Sequence, residues 1–171
     1  MTVLETDRLL IRHLTTDDAE FILRLVNDPS FIANIGDRGI RSHEQAANYL
    51  LDGPIRSYSE HGHGPYLVAL KESLEPIGMC GLLRRAQFED ADLGYAFLPE
   101  FWAQGYAFES ASAVLRFAHE SLGFKRTLGL VSPDNIPSIK LLEKLGFEFS
   151  ELRQIRPSGL PTAVYIHAFT E

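Results

Sequence analysis

Cysteine is almost missing from this chain. Cys80 stands alone among 171 residues, which excludes an intramolecular disulfide. Its setting in the apolar stretch Ile77 to Leu83 reads as a small buried hydrophobe rather than a nucleophile. Basic residues are in deficit, 16 Lys and Arg against 23 Asp and Glu, for a net charge of −7. Attachment to nucleic acid needs clustered cations to neutralise phosphates, so no nucleic-acid partner is expected. The longest apolar runs, Tyr66 to Leu70 and Ile77 to Leu83, fall far short of the roughly 20 residues that cross a bilayer, so no membrane partner is expected. Met1 to Asp7 lacks the basic start and apolar stretch of a signal peptide, and a cytoplasmic location follows as the expectation. No Gly-x-x-x-x-Gly-Lys-Ser/Thr loop is present for a nucleoside triphosphate, and no Gly-x-Gly-x-x-Gly follows a strand for a dinucleotide. His61 and His63 have no third ligand nearby and sit beside Gly62, Gly64 and Pro65 in a loop-like stretch, so no metal is expected.

What is present suffices for a core. Hydrophobic residues make up 45% of the chain, and its length suits one globular unit, so residues 1–171 are read as a single domain. Arg8 to Leu14 begins as a strand. Thr16, Asp17 and Asp18 offer N-caps to a helix in which Phe21, Ile22, Leu25 and Val26 recur at helical spacing. Asp28-Pro29 is expected to stop that helix, and residues 31–41 to form a loop. Ser42 with Gln45 makes a capping box for a second helix carrying Ala46, Ala47, Tyr49 and Leu50. Tyr66 to Leu70, Pro76 to Arg84 and Ala91 to Leu98 read as an antiparallel meander. From Ala107 the period becomes about 3.6 residues, with Ala111, Val114, Leu115, Ala118 and Leu122 on the same face and Gly123 as a stop. A strand at Thr127 to Val131, a helix opened by Pro137 and ended by Gly146, and strands near 147–155 and 162–169 complete the chain. The strand-helix-strand unit over 91–131 calls for a parallel pairing with a right-handed crossover, and hence an α/β (α+β) fold: a mixed sheet with helices on both faces.

The stretch from Gly94 to Ala107 carries the chemistry, because a strand there runs into a Gly-containing turn that opens the strongest helix. Unpaired N–H groups converge at such a helix start, the helix macrodipole adds about half a positive charge, and Gly105 lets an anion approach the main chain. An acidic protein can therefore hold an anionic ligand with backbone amides instead of surface cations. The turn alone does not name that ligand, and many such turns bind nothing.

The run Leu93-Gly94-Tyr95 through Phe101-Trp102-Ala103-Gln104-Gly105-Tyr106-Ala107-Phe108-Glu109-Ser110-Ala111 resembles the acetyl-coenzyme A binding core of the GNAT acetyltransferases, in the branch that acetylates ribosomal-protein N-termini. Leu4 to Arg12 is similar to that branch's opening strand, and Val131 to Ser138 with Leu145-Gly146-Phe147 is similar to its second cofactor segment. The resemblance implies a mostly antiparallel central sheet of about six or seven strands, with acetyl-CoA as the acetyl donor. It implies that the N–H groups of Ala103, Gln104, Gly105, Tyr106 and Ala107 hold the pyrophosphate. Phe97 and Leu98 would pair with the pantetheine amides as an added strand, an N–H there polarising the thioester carbonyl. Asn135 would bond the pantetheine arm and Ser138 would protonate the departing thiolate, although a serine in a first helical turn also commonly bonds backbone. Two positions depart from the broader pattern: Trp102 stands where Gln or Arg begins the turn, and Phe108 where many relatives carry a hydroxyl.

Attack on a thioester needs a neutral amine, and Asp92, Glu100 and Glu109 are the carboxylates that could take its proton. Asp92, on the strand face of Gly94, Ala96 and Leu98, is the favoured base, with a solvated strand-end carboxylate as the plain alternative. Glu109 in the first helical turn suits a structural role against the dipole. Tyr165 is a second possible proton donor, and Tyr49, Tyr58 and Tyr66 either line an acceptor pocket or pack. The implied partner is an amine, either a protein N-terminus or a small molecule, and a homodimer is open. A non-catalytic acetyl-CoA sensor or interaction module is the alternative of another class.

Overall fold

The computed structural model describes residues 1–170. Alternating or wholly apolar segments form eight strands: β1 (Thr2–Glu5), β2 (Leu9–His13), β3 (Pro65–Leu70), β4 (Pro76–Leu83), β5 (Asp92–Phe97), β6 (Arg126–Val131), β7 (Glu148–Arg153) and β8 (Thr162–Ala168). They make one sheet in the order β1-β2-β3-β4-β5-β6-β8-β7. Every neighbouring pair is antiparallel except β5 with β6, which is parallel. The sheet thus has one strand more than the upper expectation. The addition is β1, which folds back on β2 because Thr6-Asp7-Arg8 turns the chain, and Thr2 comes to face Arg12.

Six helices accompany the sheet: α1 (Ala19–Val26), α2 (Pro29–Asn34), α3 (His43–Leu50), α4 (Arg56–His61), α5 (Tyr106–Glu120) and α6 (Ile136–Lys144). Two expectations need correction here. Asp28-Pro29 ends α1 but also begins α2, within the segment expected to be loop. Asp28 accepts the Ser30 N–H at 2.9 Å, and Pro29 occupies a first-turn position that needs no donor. The second helix also runs on. Leu51–Ile55 makes a π-helical turn through Gly53 and Pro54 into α4, so the wider turn absorbs the proline that an α-helix would reject.

The sheet buries both faces in its middle, which explains why β3 and β4 read as continuous apolar runs. Tyr66 and Val68 join Leu9, Ile11, Cys80 and Leu82 beneath α5, which contributes Ala111, Val114, Leu115 and Ala118. Leu67, Ala69 and Met79 face the other way, onto Ile22, Leu25 and Val26 of α1 and Ala46 and Leu50 of α3. Ala111 and Ala118 are small, so α5 lies close over the strands and its first turn is fixed relative to the end of β5. Leu82 has no exposed surface. Leu82→Ala should cost about 3 kcal/mol through lost transfer energy and the cavity left behind, read as a lower urea midpoint at unchanged m-value.

Candidate active site

β5 leaves the sheet under tight restraint. The Leu98 N–H donates to the Ile77 carbonyl at 3.0 Å, the Leu98 carbonyl accepts from Phe101 N–H at 3.0 Å, and the Trp102 indole N–H donates to the Phe97 carbonyl at 2.8 Å. Trp102 thereby anchors the turn by its ring nitrogen. Ala103 (φ 58°) and Gly105 (φ 84°) then adopt left-handed conformations, which turn successive peptide units inward as an anion nest requires. Gly105 is the N-cap of α5 and has no side chain to cap it, and the first bond into the helix runs from Glu109 N–H to the Gly105 carbonyl at 3.0 Å. Among the described residues, no protein acceptor meets the N–H groups of Ala103, Gln104, Gly105, Tyr106 or Ala107. Five exposed or half-exposed donors therefore converge where the dipole of a 15-residue helix is positive.

An ion-pair network that the sequence reading did not assign holds this turn from below. Arg8 donates from Nη1 to the Gln104 carbonyl at 2.9 Å and from Nε to Glu109 at 2.7 Å, and its guanidinium carbon lies 4.4 Å from the Tyr106 ring centre. Because a trans peptide sets its C=O and N–H in opposite directions, gripping the Gln104 carbonyl aims the Gly105 N–H outward. Glu109 also accepts from Thr6 Oγ1 at 2.6 Å and from Arg8 N–H at 3.0 Å. Burial pushes the Glu109 carboxyl up, but these hydrogen bonds outweigh it and hold the group below its ordinary value. Arg8 lies in the first motif and Glu109 in the second, and only the tertiary structure joins them.

The second feature is a wedge between β5 and β6. Their ladder contains a single register, Asp92 opposite Leu128, supported by Leu128 N–H to the Ala91 carbonyl at 3.0 Å. The main-chain groups of β5 alternate sides, and the Leu98 bond to Ile77 puts the even-numbered residues toward β4. The odd-numbered Tyr95 and Phe97 therefore address the wedge. Leu98 is corrected accordingly: its N–H and carbonyl are both engaged within the protein, and because Trp102 holds the Phe97 carbonyl, the strand edge open to a ligand consists of the Phe97 N–H and the main-chain groups of Tyr95. Across the gap, Asn135 caps α6 by accepting the Ser138 N–H at 3.4 Å. Ser138 does not turn its hydroxyl to the helix backbone, because Oγ lies 2.6 Å from the Tyr95 phenol oxygen.

Asp92 lies at the closed end of the wedge. Only 3% of it is exposed, and Arg85 Nε lies 2.8 Å from Oδ1. Burial raises its pKa, and Arg85 opposes that rise. Glu100 pairs with Arg24 at the surface. Cys80 is fully buried, its thiol pushed up to about 12 by that burial, and so is unsuited to nucleophilic attack. Tyr58 stacks on His13 with centroids 3.9 Å apart and bonds Leu14 N–H and the Pro65 carbonyl, while Tyr66 is buried beside it; both pack. Tyr165 is buried against Phe149. His63 bonds the Leu82 carbonyl through Nδ1 at 3.2 Å. Among the described residues no group of three or more His, Cys, Asp or Glu is placed to hold a metal, and no helix is long and apolar enough to cross a membrane.

A strand edge opened beside a row of N–H groups at a helix start has the donors and acceptors to receive an extended ligand with a phosphate at one end and amide groups along its length. Comparison with known proteins specifies the class. Residues 8–148 match the acetyltransferase (GNAT) domain family. The chain is 33% identical over 147 residues to the uncharacterised N-acetyltransferase YoaA of Bacillus subtilis, covering 85% of this chain and 82% of that protein. Its fold superposes on an acetyltransferase from Agrobacterium tumefaciens with a TM-score of 0.81, at 24% identity over 99% of this chain and 95% of the other. It superposes equally well on RimL, a ribosomal L7/L12 α-N-protein acetyltransferase solved with coenzyme A (TM-score 0.84, 15% identity, 98% of each chain). The chain belongs to the GNAT acetyltransferases, enzymes that depend on acetyl-CoA as acetyl donor. The unserved N–H groups at α5 and the open edge of β5 suit the pyrophosphate and pantetheine of that donor.

Gly105→Val should lower acetyl-CoA affinity by at least about 10-fold, because a β-branched residue strains at φ 84° and its Cβ would lie 3.2 Å from Arg8 Nη2. Calorimetry beside circular dichroism checks this, with the fold retained. Glu109→Gln should destabilise the protein at neutral pH. A carboxyl with a depressed folded pKa contributes stability above its ordinary value, 4.5, and loses it as the pH falls through the folded value. Unfolding curves of the two proteins should therefore converge in acid and separate towards neutrality.

Proposed function

We propose that this enzyme transfers the acetyl group of acetyl-CoA to a primary amine, a protein N-terminus or a small amine, by direct attack in a ternary complex. The observation that carries the proposal is the pairing of five N–H groups at the start of α5, unserved among the described residues, with a strand edge left open at Tyr95 and at the Phe97 N–H. The nest at Ala103, Gln104, Gly105, Tyr106 and Ala107 binds the pyrophosphate. The pantetheine lies along Phe97 toward Tyr95, and Asn135 flanks it from α6. A main-chain N–H of β5 in the wedge donates to the thioester oxygen as negative charge develops there, an interaction stronger in the transition state than in the ground state. Attack by nitrogen forms the C–N bond, and the C–S bond breaks with its electron pair on sulfur, where Ser138 stands.

Asp92 draws the amine's proton through water, because its place at the closed end of the wedge and its bond to Arg85 keep it from direct contact. A base so restrained favours an acceptor that already presents neutral nitrogen. An α-amine with pKa near 8 is neutral roughly 200-fold more often at pH 7 than a lysine side chain near 10.4. Cys80, buried and protonated, supports a route without an acetyl-enzyme.

Thiol release from acetyl-CoA, screened against N-terminal peptides, polyamines and amino acids, tests the reading. The expected result is saturable transfer with intersecting double-reciprocal lines, a rate rising with pH through the acceptor's pKa, and a loss of about 10-fold or more in turnover for Asp92→Asn. Parallel lines would indicate a covalent intermediate. Tight acetyl-CoA binding without transfer to any amine would instead identify a sensor.

A further inference from the structure

Resting on that reading, we propose that Tyr95 is a positioning residue that sets the Ser138 hydroxyl hydrogen toward the departing sulfur. The two side chains meet across the wedge, one from the middle of β5 and one from the first turn of α6, with 2.6 Å between Tyr95 Oη and Ser138 Oγ. The Ser138 carbonyl is 3.4 Å from the same phenol oxygen, a longer and weaker contact. The short bond therefore decides the arrangement.

A serine hydroxyl carries one hydrogen and two lone pairs, and a phenol is the stronger acid of the two, so the phenol is the better donor. With Tyr95 donating into one lone pair of Ser138, the serine hydrogen cannot be spent on the phenol and is left to point elsewhere. Among the described residues no bond runs from the Ser138 hydroxyl back to its own helix, the usual alternative for a first-turn serine. Burial raises the Tyr95 phenol to about 12 against the lowering effect of Ser138, which keeps it protonated through the working range. Ser138 N–H is already committed to Asn135, so the residue is fixed at both its main chain and its side chain.

As the nitrogen bonds to the acetyl carbon, its proton passes through water to Asp92, and as the C–S pair passes to sulfur the thiolate takes the Ser138 hydrogen. The serine oxygen is then reprotonated from water and Asp92 returns its proton to water, so the net change is one proton lost by nitrogen and one gained by sulfur. Tyr95 stays a protonated phenol throughout, its hydrogen bond stabilising the serine oxygen while the hydrogen is away.

Tyr95→Phe keeps the ring in its packing and removes only the hydroxyl. Acetyl transfer to the best amine of the panel should fall about 10-fold or more in kcat, with the KM for acetyl-CoA changed less than about threefold. The decisive measurement is the double-mutant cycle with Ser138→Ala. If Tyr95 acts through Ser138, adding Tyr95→Phe to Ser138→Ala should change kcat by less than about twofold. Additive losses, or a Tyr95→Phe enzyme as fast as the parent, would overturn the assignment. Calorimetric acetyl-CoA binding and thermal unfolding, run on all four proteins, separate a fold defect from a catalytic one. If the parent itself transfers to no amine, the reading on which the inference rests fails and the inference falls with it. A parent that works and a cycle that is additive would overturn the role of Tyr95 alone.

Discussion

The structure turns on two neighbouring strands that part company. β5 and β6 share one ladder position and then diverge, so a strand in the middle of an eight-stranded sheet presents an open edge where a central strand is normally paired on both sides. Leaving buried or half-buried main-chain groups unserved is costly, and a protein sustains it only where something else completes the bonding. The same economy rules the start of α5, where five N–H groups lack acceptors among the described residues. Both deficits lie along one path, from the nest at Gly105 down the edge past Phe97 to Tyr95. A ligand with a diphosphate at one end and amides behind it satisfies both. In the proposed reading, an enzyme with a net charge of −7 handles an anionic substrate through fixed main-chain dipoles, with Arg8 as a buttressing cation.

The rest of the fold serves to hold that divergence. α5 lies flat on the sheet because Ala111 and Ala118 allow it, and its first turn is tied to the N-terminal hairpin by Arg8 and Thr6 bonding Glu109. Trp102, which departs from the residue common at that point of the superfamily pattern, bonds the Phe97 carbonyl and fixes how the chain leaves β5. Affinity then rests on how rigidly the amides are presented, since donors already in place need not be ordered when the substrate arrives.

The central half of the molecule was legible because its signals are local. The apolar runs at Tyr66 to Leu70 and Ile77 to Leu83, the helical period from Ala107, and the placing of Gly105 each report on a few consecutive residues. Two kinds of feature were not. Asp28-Pro29 reads equally well as the end of one helix or the start of the next, and the structure uses it as both. Gly53-Pro54 reads as a break, yet a π-helical turn carries the chain across it. The side of a strand on which an N–H lies is likewise invisible to sequence, because it depends on register with the neighbouring strand. That is why Leu98 was placed among the ligand-facing groups, although its N–H belongs to Ile77. The contacts of Arg8 with Gln104 and Glu109, and of Tyr95 with Ser138, span about a hundred and about forty residues and have no local signature.

The placement of Asp92 bears on which nitrogen the proposed reaction would favour. It sits on the β5 residue where the two strands are still joined, three residues and hence about 10 Å from Tyr95 along an extended chain. Its carboxylate is bonded to Arg85, which lowers its appetite for a proton even as burial raises it. In the proposed reaction a carboxylate buried and tied to Arg85 does not touch the acceptor, and an ammonium of high pKa would have to lose its proton before it could attack. An α-amine asks less of it, since a fair share is neutral without help. In the proposed reaction, selection among amines therefore begins with their own acidity, and the shape of the acceptor's path to the wedge acts only on those that arrive neutral.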